Sequence, residues 1–476
     1  MKKVMWIALL LLLLPLISYA EIFRLEPGGM TLTEALARCR DGDVIELAEG
    51  VYAEPQESFP LTIRKTLTIR AAAGAKPIID SPQFQTAVRV EADGVALDGL
   101  DIRFRNIGIQ ALGDNMLLEN CRITLADEAW CTSSCGMWCG GIYRMSVRNC
   151  AFTGCGISLA GPPLSESSKG LPVLTGLFEV GEDVEFFTSH SIENNTVNGK
   201  PLFYAVSKAV VRVPEGAGQI ICCDCDEVLV SNADVSGGSM GMVLVYNRDI
   251  YLENCKADRC GVFGIYVAKC EGGVLNHCSS AESNHGLDIR ASRNIVLKNC
   301  SATDCQQGLF FSLVQNSAMI DCMVTGTGQG YFMSAGKGNS LLNSAAIDCE
   351  NGFNLQKEGP VLMAGCRAEG CTVCGVRLDA TPTTLVHSTL INNWVAVMAY
   401  GSASVDASNN LFEGSQCCAL YLRDIEFSRF TCNIFADSAL AGVLAAGTLG
   451  GSHWIANILD LPMDMTQAVD GFGIKH

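Results

Sequence analysis

Gly286-Leu287-Asp288-Ile289, Gly308-Leu309-Phe310-Phe311, Gly330-Tyr331-Phe332-Met333 and Gly352-Phe353-Asn354-Leu355 are four versions of one phrase, each starting 22 residues after the last. Outward from this block the phrase recurs as Gly241-Met242-Val243-Leu244, Gly264-Ile265-Tyr266-Val267 and Gly375-Val376-Arg377-Leu378, then as Ala396-Val397, Ala419-Leu420 and Gly442-Val443. A fixed period of this length, with short strands in each unit, specifies a solenoid. One residue after the glycine position stand Met242, Ile265, Leu287, Leu309, Tyr331, Phe353, Val376, Val397, Leu420 and Val443; three after it stand Leu244, Val267, Ile289, Phe311, Met333, Leu355, Leu378, Ala399, Leu422 and Ala445. All are apolar or aromatic, and strand side chains alternate faces, so both columns point inward.

A second series of small residues lies upstream: Cys255, Cys278, Cys300, Cys322, Ser344, Cys366, Ser388 and Asn410. Five residues on comes Cys260, Ser283, Cys305, Thr327, Cys349, Cys371, Asn393 and Ser415. Small residues recurring once per coil fit a narrow stack. Asn254, Asn299, Asn343 and Asn409, with His277, Asp321 and His387 in the same slot, read as bend residues that tolerate a left-handed backbone. The predicted fold is all-β: a right-handed parallel β-helix with an N-terminal helical cap, Thr31 and Glu34 being placed for a capping box.

The organisation predicted from the N-terminus is a signal peptide over 1–20, a cap and first coils over 21–115, coils with loop excursions over 116–192, regular coils over 193–446 and a C-terminal cap over 447–476. Lys2-Lys3, an apolar run from Val4 to Ile17 and Ser18-Tyr19-Ala20 have the three-part form of a secretory signal. That predicts export to the periplasm or the extracellular space, with no membrane span once the signal is removed. Losing its two lysines takes the formal charge from −17 to −19. A chain this acidic is a poor partner for nucleic acid or anionic membranes. Polyanionic sugars would need cations or a local basic patch.

Gly50-Val51-Tyr52, paired short strands and then Ile79-Asp80 resemble the opening of secreted β-helix proteins of the pectate-lyase-like superfamily. Ile192-Glu193-Asn194-Asn195-Thr196-Val197-Asn198-Gly199-Lys200, Val213-Pro214-Glu215-Gly216 and Val228-Leu229-Val230-Ser231-Asn232 resemble the β-helix domain shared by carbohydrate-binding proteins and sugar hydrolases. They also resemble that of the periplasmic copper-processing protein of nitrous oxide reductase maturation. The resemblance implies the fold and binding or processing of a polysaccharide or glycan, with metal (copper) handling as a periplasmic accessory protein the alternative and a surface scaffold without a small-molecule site the third reading; no catalytic motif of these families aligns residue by residue.

Between the inward columns lie outward positions that mix rings with planar polar groups: Tyr266, Asp288, Phe310, Phe332, Asn354, Arg377 and Tyr421 in one column, Arg290, Gln356 and Tyr400 in the next. Such a surface suits sugars, because rings stack on pyranose faces and planar groups take hydroxyl pairs. It equally suits coverage by loops or by a protein partner, since adjacent phenylalanines are costly in water. Glycoside hydrolysis needs two carboxyl groups about 5 to 9.5 Å apart. Asp288 has no such neighbour on this face, leaving Glu166, Glu182 or Asp183 to reach in from loops. A lyase or epimerase needs a base, for which Asp288, Arg290 and His285 (or Lys357) are the candidates, although an Asp–Arg pair two apart on a strand reads first as a surface salt bridge. Copper or calcium are the cations considered. Cys131, Cys135 and Cys139, spaced by four, are soft metal candidates, with disulfide bonding or packing the competing reading in an exported chain.

Overall fold

The computed structural model describes residues 20–81, 86–126, 134–161, 183–401, 403–446, 451–459 and 473–474. The expected solenoid is present: coils of short strands stack in parallel, each strand in register with its equivalent one coil on. His285 pairs with Gln307, Asp288 with Phe310 and Arg290 with Ser312, and the same offsets repeat through Gln329–Ser334 and Asn351–Gln356. Both predicted inward columns are core, with Leu287 and Ile289 fully buried. The N-terminal helix Leu32–Arg38 carries the expected capping box between Thr31 and Glu34.

Inside the coils, like stacks on like. Tyr331 and Phe353 are parallel with centroids 4.5 Å apart, and the Tyr331 hydroxyl donates to the Cys322 carbonyl at 2.7 Å. The column in which Cys, Ser and Asn alternate has a shared task. Cys300 donates to the carbonyl of Leu275, Ser344 to that of Met319 and Asn410 to that of Leu385. Each satisfies a carbonyl of the preceding coil that burial would otherwise leave costly. The residues expected at the bend (Asn254, His277, Asn299, Asp321, Asn343, His387 and Asn409) all have positive φ. Where a glycine follows in the next coil, an Asx side chain lies over it: a Cβ on Gly365 would stand 2.5 Å from Asn343 Oδ1 and, at another bend, one on Gly370 2.4 Å from Asp348 Oδ1.

The coils form two consecutive stacks. In the first, three sheets run from Ile22–Leu25 to Ser191–Glu193, from Gly50–Ala53 to Thr196–Val197, and from Leu61–Ile63 to Ile157–Ala160. Asn198 and Gly199, both at positive φ, then make a two-residue hairpin that pairs Val197 with Lys200 antiparallel, the turn chemistry expected of Asn-Gly. Strand direction reverses there. Lys200–Val206 opens the second stack, whose long sheet holds every glycine-led strand through Ala441–Ala446.

The last sheet of the first stack lies as a roof over the outer face of the first strands of the second. Cys135–Gly140 and Ile157–Ala160 above, and Gln219–Cys223, Met240–Val245 and Phe263–Ala268 below, are buried along their whole length, as strands covered on both faces must be. Trp138, Ile221, Cys223, Val243, Val245, Tyr266 and Ala268 belong to one apolar cluster with the core of the first stack. Polar pegs fix the contact. Ser239 Oγ accepts from the backbone N–H of Gly136 at 3.0 Å and of Gly156 at 2.9 Å. The Gln219 side chain accepts from Ile157 N–H and donates to Ile157 C=O.

The signal expected over residues 1–20 lies almost wholly outside the described residues. So do most of the loop excursions and most of the C-terminal segment; within the latter, His453–Ile455 and Ile458–Leu459 add one further rung to two sheets. Among the described residues no helix is long and apolar enough to cross a membrane.

Candidate glycan-binding face

The roof divides the outward face of the long sheet in two. Tyr266, expected on the open surface, is only 3% exposed; its ring stacks on Phe263 at 4.8 Å, and burial pushes its hydroxyl well above the ordinary range. The covering element is the chain's own first stack.

Asp288, Arg290 and His285 lie at the edge of the roof, and the structure brings them together. Arg290 donates from Nε to Asp288 Oδ1 at 2.7 Å and from Nη2 to Oδ2 at 2.8 Å, a bidentate pair. His285 Nδ1 lies 2.7 Å from Asp288 Oδ2. Aromatic rings box the group in: the guanidinium sits over Phe263 at 5.5 Å and over Phe310 at 5.0 Å, and His285 meets both rings edge-on. Asp288 is 0% exposed, which corrects the surface salt bridge expected from sequence. Burial alone would push the Asp288 carboxyl up; the Arg290 guanidinium and His285 outweigh it and hold it below its ordinary value. A carboxylate so enclosed, with both oxygens committed, does not serve as acid or base to a polysaccharide. Arg290, whose pKa Asp288 raises against the effect of burial, keeps its proton and is no base. Asp183 accepts from the Tyr143 hydroxyl on the first stack; Glu166 and Glu182 lie outside the described residues.

Beyond this cluster the face is open. Phe310 and Phe332 are half-buried and parallel, with centroids 4.7 Å apart. They stack on each other, and Arg290 covers Phe310 further. The ring edges, more than the expected pyranose-sized faces, are what they offer. Asn354 is buried and donates to Gln329 Oε1 at 2.6 Å, while Gln356 donates to Asn354 Oδ1. Arg377 lies over the Tyr400 ring at 5.3 Å and donates to its hydroxyl. Tyr421 is half-buried beside Met398 and Leu444.

The outward face has a third column, at the first residue of each strand, which alternation counted from the glycine does not reveal. It runs through His285, Gln307, Gln329 and Asn351. Along this leading edge opens a groove of about 510 Å³ lined by Asp304, Gln306, Gln307, Gly328, Gln329 and Glu350 among others. Amide groups therefore repeat once per coil beside the aromatic edges, at the roughly 4.8 Å strand spacing. Gln307 Oε1 is enclosed in the wall with no hydrogen-bond partner among the described residues. Farther along the same edge Trp394 is 48% exposed, two coils from Glu350 by the backbone links Val373 to Glu350 and Trp394 to Cys371. An exposed tryptophan at a turn before a glycine-type strand is the sequence signal that marks this edge.

The sulfur candidates do not converge. Cys135 donates to the Ser158 hydroxyl on the roof side, whereas Cys139 packs against Met145 Sδ in the core of the first stack. Burial pushes Cys135 up to about 11 and Cys139 well above its ordinary value, against the thiolate a metal needs. Cys131 lies outside the described residues. Among the described residues no three of His, Cys, Asp and Glu are gathered to hold a metal, and every described cysteine is free. The pair therefore does not fit a shared copper or zinc, and packing is the role seen.

A model for the right-handed β-helix region matches residues 86–284, 183–344 and 285–435; the chain belongs to that family, and its fold is a right-handed parallel β-helix. Among solved structures it is similar to pectate lyase Pel9A, at 14% identity over 90% of this chain and 79% of that one with a TM-score of 0.27. It is also similar to a hyperthermoactive exopolygalacturonase from Thermotoga maritima (11% identity, 92% and 91% covered, TM-score 0.32) and to PfbA, a surface adhesin of Streptococcus pneumoniae (9%, 90% and 85%, 0.23). These likenesses express the shared coil architecture alone. No curated protein matches the sequence.

Proposed function

We propose that this chain is an exported glycan-binding protein whose site is the open, leading-edge half of the long sheet, from Gln307 to Trp394. The observation that carries the reading is the groove of about 510 Å³, in which planar amides recur coil by coil beside the edges of Phe310 and Phe332. Planar donors and acceptors at sugar-sized intervals match vicinal hydroxyls, and the neighbouring edges of Phe310 and Phe332 offer C–H contact beside the groove. Binding is favoured over processing because Asp288 is locked to Arg290 and withdrawn from solvent.

The test is a glycan array probed with the mature protein and with Phe332→Ala, Gln329→Ala and Trp394→Ala. These half-open positions lie off the roof contact, so folding should survive. Loss of a packed ring or of a hydrogen bond to a ligand is worth about 1–3 kcal/mol, so each change should weaken binding roughly 5- to 150-fold. A blank array, or hits that all three variants retain at full strength, would refute the assignment.

A further inference from the structure

The charges around the groove specify which sugars it accepts, an inference that rests on the glycan reading above. Its lining holds two carboxylates, Asp304 and Glu350, and no lysine, arginine or histidine. Both acids are exposed, and neither forms an ion pair among the described residues. Arg259 stands in the same turn column as Asp304, two coils back and outside the lining; the other nearby cations are farther off or engaged. Arg290 is held bidentate by Asp288 and Arg377 lies against Tyr400. Lys337 and Lys357 follow Ser334 and Gln356 at the far ends of their strands. At about 3.3 Å per residue those six-residue strands place the two lysines some 20 Å from the leading edge. That is more than two Debye lengths of roughly 8 Å at physiological ionic strength. A polyuronate laid along the groove would bring one carboxylate per sugar against fixed carboxylates, with no lysine, arginine or histidine in the lining to offset them.

We infer that the groove takes glycans of amine-bearing or uncharged sugars and rejects polyuronates and sulfated chains. Gln306, Gln307 and Gln329 supply hydroxyl recognition, and Asp304 and Glu350 supply the preference for a protonated amine. Two carboxylates at the groove are the element of repulsion that makes a discriminating site.

Isothermal titration with three hexasaccharides tests this: glucosamine, cellobiose-type glucose and galacturonate. At low salt the glucosamine hexamer should bind at least about tenfold more tightly than the galacturonate hexamer, a gap that 0.5 M salt narrows. The double variant Asp304→Asn/Glu350→Gln should erase the preference while Trp394→Ala weakens all binders alike. Asn at 304 keeps the left-handed turn (φ 52° in the native chain), so the variant should fold as the parent does. Equal or tighter galacturonate binding that Trp394→Ala still abolishes would overturn the charge inference and leave the glycan site standing. No binding of any hexamer, together with a blank array, would sink both.

Discussion

Replacing Ser239 by alanine should loosen the roof that the first stack forms over the second. Ser239 is 0% exposed, and its hydroxyl accepts two backbone N–H groups from the two roof strands, those of Gly136 and Gly156. Alanine fits the space but leaves both donors buried without a partner. Each such orphan costs about 1–3 kcal/mol, so the change should cost about 2–6 kcal/mol at the joint. Hydrogen exchange read by mass spectrometry is the appropriate assay, because stacked coils open locally and a single global midpoint is poorly defined. Peptides carrying Gly136 and Gly156 should exchange at least about 30-fold faster, the factor that 2 kcal/mol implies. Peptides from Leu341 onward should be unchanged. Ser334→Ala, on the half-open face with one hydroxyl partner, Ser312, is the control and should lie within about 0.5 kcal/mol of the parent. If Ser239→Ala matches that control, the two amides are satisfied in some other way and the pegged-roof account is wrong.

Four further outcomes are expected. Ile289→Asp places a charge in a fully buried column and should unfold the middle coils; an unchanged thermal midpoint would sink the register. Asp288→Asn removes the carboxylate paired with the buried Arg290 and should cost about 3–5 kcal/mol at neutral pH. Because the folded Asp288 titrates below its ordinary 3.8, its contribution is present above that value and lost as pH falls through the lower folded pKa; the variant's urea midpoint should therefore vary less with pH below about 4 than the parent's. Gly370→Ala introduces a Cβ 2.4 Å from Asp348 Oδ1 at a φ of 67° and should cost more than the roughly 1 kcal/mol of the left-handed backbone alone; adding Asp348→Ala should recover the excess, as thermal denaturation would report. Finally, Cys432 is the exposed cysteine among those described, while burial raises thiols such as Cys366, to about 11. Cys432→Ser should remove one fast equivalent in a native thiol titration.

The fold was legible in the sequence because a solenoid repeats its packing problem every coil. The columns through Leu287 and Ile289 face the core as strand alternation requires, and Asn254, His277 and Asp321 sit in the left-handed bend their slot implied. Cys222 and Cys223 divide between the inner core and the roof contact, so adjacent strand residues do face opposite ways. What alternation does not state is what lies outside a coil. It places Tyr266 and Phe310 alike outward, yet one is under the roof and the other beside a groove. The trace of that difference is compositional: Val243, Val245 and Ala268 make the first coils apolar on both faces, whereas Gln307, Gln329 and Asn354 make the later ones mixed. Asn198-Gly199 was the other trace, a hairpin signal inside a run of parallel coils. Asp288 with Arg290 gave the reverse lesson, since two charged residues on a strand carry no label saying that Phe263 and Phe310 will close over them.

The hairpin at Asn198-Gly199 has an architectural consequence. It fixes where the roof begins, and the size of the first stack fixes where the roof ends, near His285. The open face is then whatever the second stack has left over. Inserting one 22-residue coil anywhere after Gln307 would lengthen that face by one rung of about 4.8 Å and disturb no contact at the joint. Footprint and hinge are thus separate variables in this chain: adding or removing coils changes the length of the open face and leaves the joint as it is.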